Sequence, residues 1–268
     1  MKVSRALSDE ARAFLDGVRG LEPDDWDRPT RCTPWDVREL VGHVVTALDR
    51  VPENLARPAP DRPDTTAVTY YRADARFSAA ANAERIRTAQ ARAATTVTGA
   101  ATSVTGAGPG VTGAHAAVAG AGPGVTGANA AVTGADAGVA GALAAATAVD
   151  AAAATVTAVL DACAREPDGR LIRTRHGDAM LLSEFLVTRV VELALHGLDV
   201  SDAAGRPPWL TPAATDCVLG LLFTAPPVVA GLGWDPVTVL RKTTGRAPVT
   251  PAEAEALARA GRRKLAFG

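Results

Sequence analysis

Residues Ser183 to Ala204 limit the possible folds of this chain more than any other segment. In helical register Phe185, Arg189, Glu192, His196, Asp199 and Ala203 follow one another at spacings of four, three, four, three and four, so they form one stripe. The stripe is polar in its middle, while both flanks are apolar: Leu186, Val190, Leu193 and Val200 on one side, Val191, Leu195 and Leu198 on the other. A helix that is apolar nearly all round is surrounded by protein. The fold must therefore enclose this helix and take its charges inside. An unpaired buried carboxylate is so costly that Glu192 must meet a cation, a hydrogen-bond network or a metal, or else hold a proton.

The rest of the chain supplies helices to do the enclosing. Leu7, Ala11, Phe14, Leu15 and Val18 make one face of an amphipathic N-terminal helix. A second helix is predicted from Thr33 as cap, Pro34 at the first helical position and Asp36 in the first turn, running to about Arg50. Its core stripe is Val37, Leu40, Val41, Val44 and Leu48. After the proline-rich turn at 57–63, residues 66–96 continue in helical style. Helical pattern resumes after Asp150 and stops at Glu166-Pro-Asp-Gly169, and residues 171–180 read as a short polar connection. The helix from Ser183 ends at Gly205. The last sixty or so residues hold two or three short helices, too few for a second core of much size. The expected architecture is an all-α bundle over residues 1–205, with a short C-terminal helical extension over 206–268.

Residues 97–142 stand apart. A Val-Thr/Ala-Gly-Ala unit recurs every seven positions from Val97 to Val139, and Ala93 to Ala135 contains no Asp, Glu, Lys or Arg. A glycine in each unit costs about 1 kcal/mol relative to alanine, and Pro109 and Pro123 cost more. The block therefore reads as a low-complexity insertion, a loose linker with no continuous helix through its middle.

Composition removes several function classes. The 268 residues are 47% hydrophobic, enough for a real core. The net charge of -1 gives no general pull toward nucleic acid or anionic lipid. Cys32, Cys163 and Cys217 are odd in number and widely spaced, so no disulfide framework is expected. The N-terminus lacks the apolar block of a secretory signal, which implies the cytoplasm. Cys217 to Trp234 carries no charged side chain, but Pro226 and Pro227 divide it into pieces too short to span a bilayer. A buried helix followed by a loop is expected there.

Glu192 and His196 lie one turn apart and can face the same small volume. With Arg189 they form either a local ion-pair ladder without a metal or two-thirds of a metal site. His43, at the margin of the second helix's core stripe beside Leu40 and Ala47, is the candidate third ligand; it reads equally as a core histidine satisfied by hydrogen bonds. His115 lies in the repeat and His176 in a polar turn, so neither is geometrically fixed. Two imidazoles and one carboxylate leave room for water or substrate, the pattern of a catalytic divalent metal. Zinc is the default, and iron uses the same ligand set.

Asp25-Trp26, Cys32-x-x-Trp35-x-Val37-x-x-Leu40-x-x-His43, the run Arg189-Val-Val-Glu192-Leu-Ala-Leu-His196-Gly197-Leu198-Asp199 and Thr244-Gly245-Arg246 together resemble the mycothiol-dependent maleylpyruvate isomerase family. That resemblance implies a DinB-like four-helix bundle with His43, Glu192 and His196 as metal ligands. It also implies mycothiol as a thiol cosubstrate, held by the metal as a thiolate that attacks an electrophilic small molecule, in an isomerase or an S-transferase. Arg189 and Asp199 are then candidates for orienting a ligand or substrate, although Asp199 can equally pair within its own helix. Trp35 is read as packing. Cys32 is read as structural, because the external thiol supplies the sulfur. The alternative reading is a non-catalytic bundle that binds a metal or a small molecule.

Overall fold

The computed structural model describes residues 2–105, 128–224 and 233–267. Among them the chain is a helical bundle with one small two-stranded sheet, the all-α class expected. Helix α1 (Lys2–Arg19) buries Leu7, Ala11, Phe14, Leu15 and Val18. Helix α2 (Val37–Leu55) buries its expected stripe together with Val45 and Val51. Helix α6 (Leu182–Ala203) is enclosed as its sequence requires, because α1, α2 and α7 (Pro212–Leu222) pack around it. Gly205, at φ +66°, takes the left-handed turn that ends it.

The start of α2 corrects the sequence reading. Its cap is Asp36 and not Thr33: the Asp36 carboxylate accepts from the Glu39 amide at 2.8 Å, and Glu39 accepts from the Asp36 amide at 3.2 Å. This reciprocal box satisfies two orphan donors at once, which a threonine three residues earlier cannot do. Residues 30–35 are left as a tight loop, closed by Thr30 N–H to the Trp35 carbonyl and Trp35 N–H to the Cys32 carbonyl, both at 3.0 Å. The helix also continues past Arg50 to Leu55, with Pro52 in its last turn.

The segment 66–96 is less uniform than its composition suggests. A short helix α3 (Ala67–Tyr70) and a 3-10 turn (Ala75–Phe77) precede α4 (Ala79–Thr105). Helix α4 packs on α5 (Ala128–Ala164), and both pack on α2. Both run into the repeat, so residues 97–105 and 128–142 are helix, where the sequence reading put a loose linker. Extending a helix already nucleated and docked costs far less than starting one, and the alanines of each unit offset its glycine. Residues 106–127, with Pro109, His115 and Pro123, lie outside the described residues.

Gly138–Ala164 is long and apolar enough to cross a bilayer by length and composition alone. In this fold it lays Ala144, Ala148, Ala152, Val156 and Val159 into the core, while Asp150 and Asp161 face outward.

Residues 171–180, expected as a polar connection, form together with Leu181 a hairpin of β1 (Leu171–Arg173) and β2 (Ala179–Leu181), with Ile172 opposite Met180 and both buried. Its turn is closed by Thr174 N–H to the Asp178 carbonyl at 2.8 Å, with Gly177 at φ +93°. Beyond α7, helices α8 (Pro236–Thr243) and α9 (Pro251–Arg259) contribute Val239, Leu240 and Leu257 to the same hydrophobic cluster that α1, α2 and α6 build. Helix α7 is the buried helix expected there; the loop expected at Pro226 and Pro227 lies outside the described residues.

One buried acid ties α1 to the start of α7. Glu10, 3% exposed, accepts from the Thr211 amide at 2.9 Å and the Thr211 hydroxyl at 2.7 Å. Burial outweighs these bonds and pushes its carboxyl from 4.5 up to about 7. The folded state thus holds a proton that the unfolded chain has lost, so this contribution is complete at low pH and disappears as pH rises through the interval between those values. Relative to Glu10→Gln, the wild type should lose about 2–3 kcal/mol of unfolding free energy between pH 5 and pH 7.5, read by urea denaturation. Parallel stability curves for the two proteins would rule this out.

Candidate metal centre

Three side chains that are distant in sequence meet where α2 crosses α6. Glu192 and His196 are one turn apart on α6, and His43 comes from the facing side of α2. His43 Nε2 lies 3.2 Å and His196 Nε2 3.3 Å from the same oxygen, Glu192 Oε2. One donor atom from each residue falls within 4.8 Å of the others. Four ligands placed tetrahedrally at zinc distances stand ~3.4 Å apart, close to the two separations seen here. The donor set and its spacing fit a divalent cation. Cys32, His196 and Asp199 form a second convergent group, but there a guanidinium already occupies the carboxylate.

That guanidinium belongs to Arg246, which follows α8. Its Nε donates to Asp199 Oδ1 at 2.8 Å and its Nη2 to Asp199 Oδ2 at 2.6 Å, a two-point clamp on a side chain with no exposed surface. The gain is local to His196, whose Nδ1 lies 3.0 Å from Asp199 Oδ2. An Nδ1–H directed at Asp199 leaves Nε2 with its lone pair facing Glu192 and His43, the arrangement in which a carboxylate orients a metal-binding imidazole. His43 is held differently: Trp35 stacks on it with ring centroids 4.6 Å apart.

Burial and hydrogen bonding leave Glu192 and His43 in coordinating protonation states and keep His196 protonated while no cation is bound. Burial disfavours charge on Glu192, but the hydrogen bonds from His196 and His43 prevail and hold its carboxyl well below the ordinary range. Burial pushes His43 down, with only partial compensation from Glu192, so its imidazole is neutral. His196 is raised well above its usual value because the bonds to Asp199, Cys32 and Glu192 outweigh its burial. A cation bound here would therefore displace a proton from His196 Nε2.

Arg189 is committed to the scaffold. Its Nη1 donates to the Ala47 carbonyl of α2 at 2.6 Å and its Nε to Thr188 Oγ1 at 3.1 Å, while Nη2 stays 3.9 Å from Glu192 Oε1. It fastens α6 to α2 behind the ligands. Above them opens a cavity of about 240 Å³, walled by aromatic rings including Tyr71 and Phe185. His176 lines it and His43, Glu192 and His196 form its floor.

Sequence reasoning gave no role here to Cys32 or Arg246 and made Trp35 a packing residue. Cys32 also lines the cavity, with Sγ donating to Asp199 Oδ2 at 3.3 Å and lying 3.9 Å from His196 Nδ1. The signal available was that all three sit in the short motifs around His43 and at Thr244-Gly245-Arg246. Nothing in spacing alone could join Arg246 to a helix 47 residues earlier.

Residues 7–113 match the family model of the mycothiol maleylpyruvate isomerase N-terminal domain. The match includes α2 with His43 and ends before α5 and α6. No curated protein and no solved structure gives a significant match.

Proposed function

We propose, from the match of residues 7–113 to the mycothiol maleylpyruvate isomerase N-terminal domain, that this chain is a member of that family and a metal-dependent enzyme joining a low-molecular-weight thiol to an electrophilic small molecule. The thiol is mycothiol, and the metal ligands are His43, Glu192 and His196. The observation that carries this reading is the convergence of those side chains beneath a partly apolar cavity, with His196 oriented from behind by Asp199. A divalent cation, zinc by default, supplies acidity to a bound thiol at neutral pH.

The chain's own groups do the rest. Asp199 keeps the proton on His196 Nδ1, and Arg246 holds the Asp199 carboxylate ionised and fixed. Trp35 keeps the His43 ring from turning away from the site. The aromatic wall excludes water from the sulfur that attacks. In the reaction the S–H proton is lost to solvent and an S–C bond forms at the electrophilic carbon, either as a C=C π bond opens and its electron pair passes to the neighbouring carbon or as the bond to a leaving group breaks. Rotation about the saturated bond followed by loss of the thiol gives isomerisation, while departure of a leaving group gives S-transfer.

The test is conjugation of mycothiol to a panel of activated alkenes and alkyl halides by zinc-loaded protein. Turnover should exceed that of His196→Ala by ~100-fold or more. Stoichiometric metal with no acceleration over the panel would instead favour the non-catalytic binding bundle.

A further inference from the structure

The proposed chemistry uses the floor of the cavity and leaves its other end unexplained. Five arginines, Arg50, Arg85, Arg175, Arg189 and Arg246, line this space against a single lining carboxylate, Glu192. Arg246 and Arg189 are accounted for by Asp199 and by the Ala47 carbonyl. The other three come from α2, α4 and the hairpin turn, and their charge is poorly balanced. Arg85 donates only to neutral oxygens, Asn82 Oδ1 and the Arg76 carbonyl, both at 2.5 Å. Arg175 has no hydrogen bond or ion pair among the described residues. Arg50 has one acidic partner, Glu53, at 2.6 Å.

Two of these charges act on the third. Desolvation at the cavity mouth, and then the nearby charges of Arg50 and Arg85, hold Arg175 below its ordinary value. Like charges brought together on three separate elements raise the energy of the empty protein, and an anion removes that cost. One turn past Arg50, Asn54 is 1% exposed, lines the cavity, and has an Oδ1 with no hydrogen-bond partner, so this end offers a buried acceptor beside its cations.

We propose that Arg50, Arg85 and Arg175 form a subsite for an oxyanion, carboxylate or phosphate, carried by the small-molecule substrate. Assigning that group to the electrophile rests on the thiol-conjugation reading above; oxyanion binding itself does not. The register of α2 sets the size of such a substrate. Arg50 lies seven residues beyond His43, ~10 Å along the helix axis, so the anionic group sits roughly that far from the reacting carbon, with a hydroxyl or amide donor within reach of Asn54.

The test is isothermal titration calorimetry at low ionic strength on chelator-treated protein, so that no probe can coordinate a cation. The probes are adipate, inorganic pyrophosphate and, as the neutral control, adipamide. Wild type should bind at least one anion and bind adipamide far more weakly. Arg85→Met and Arg175→Met should each weaken the anion ~10-fold or more. Tighter adipate assigns the carboxylate, and tighter pyrophosphate the phosphate. Adipamide binding as tightly as adipate, absence of binding by both anions, or unchanged affinity in Arg175→Met would overturn the subsite. Arg175 has no partner to strand, so its variant keeps the test decisive even if Arg85→Met misfolds. Anion binding without thiol turnover would refute the enzymatic reading and leave the subsite standing. Thiol turnover indifferent to charge on the electrophile would leave the enzymatic reading standing and overturn the assignment of the anionic group to the substrate.

Discussion

His196→Ala should lower affinity for a divalent cation by more than ~100-fold, because it removes one of three ligands and not merely a group behind them. Competition against a chromophoric chelator reads this directly. Glu192 would then remain half-buried with only His43 and, 3.9 Å away, the Arg189 guanidinium beside it. Its carboxyl, now held down by both imidazoles, would lose its main support and tend to take up a proton. Metal content close to that of wild type in the variant would mean that the cation is held elsewhere.

Asp199→Ala is expected to damage both fold and site. Asp199 is the anion for Arg246, lies 3.9 Å from Arg31 Nη1, and accepts from Cys32 Sγ. Its removal strands a guanidinium whose side chain is 5% exposed. Breaking a buried pair from one side costs about 3–5 kcal/mol, which urea denaturation would resolve. The same change frees the His196 ring and should weaken the metal by a further ~10–100-fold. Asp199→Asn keeps the shape and one acceptor and should fall between. A loss below ~1 kcal/mol with unchanged metal affinity would show that Asp199 neither supports the core nor orients His196.

The parts of this molecule legible in its sequence are those governed by local periodicity. The apolar flanks of 183–204 demanded enclosure, and α6 is enclosed; the stripes of α1 and α2 name the residues that are buried. The polar stripe put Glu192 and His196 on one face, and the spacing of α2 offered His43 to it. Reciprocal capping was overlooked because Thr33-Pro34 gives a helix start as acceptable as Asp36 with Glu39. The hairpin was missed because three-residue strands carry too few positions for alternation to register. The helical parts of the repeat were missed because propensity counts the cost of each glycine but not the docking of α4 and α5 onto α2. Arg246, Arg50, Arg85 and Arg175 converge only through tertiary packing, which periodicity does not encode.

X-ray absorption at the zinc edge of the loaded, thiol-free protein decides whether His43, Glu192 and His196 hold the cation. The expected result is one zinc per chain with only nitrogen and oxygen neighbours at about 2.0–2.2 Å, two of them imidazoles, and the same neighbours in Cys32→Ser. A sulfur neighbour near 2.3 Å, lost in Cys32→Ser, would contradict it and move the cation to the Cys32 side of His196; so would zinc that stays far below one per chain.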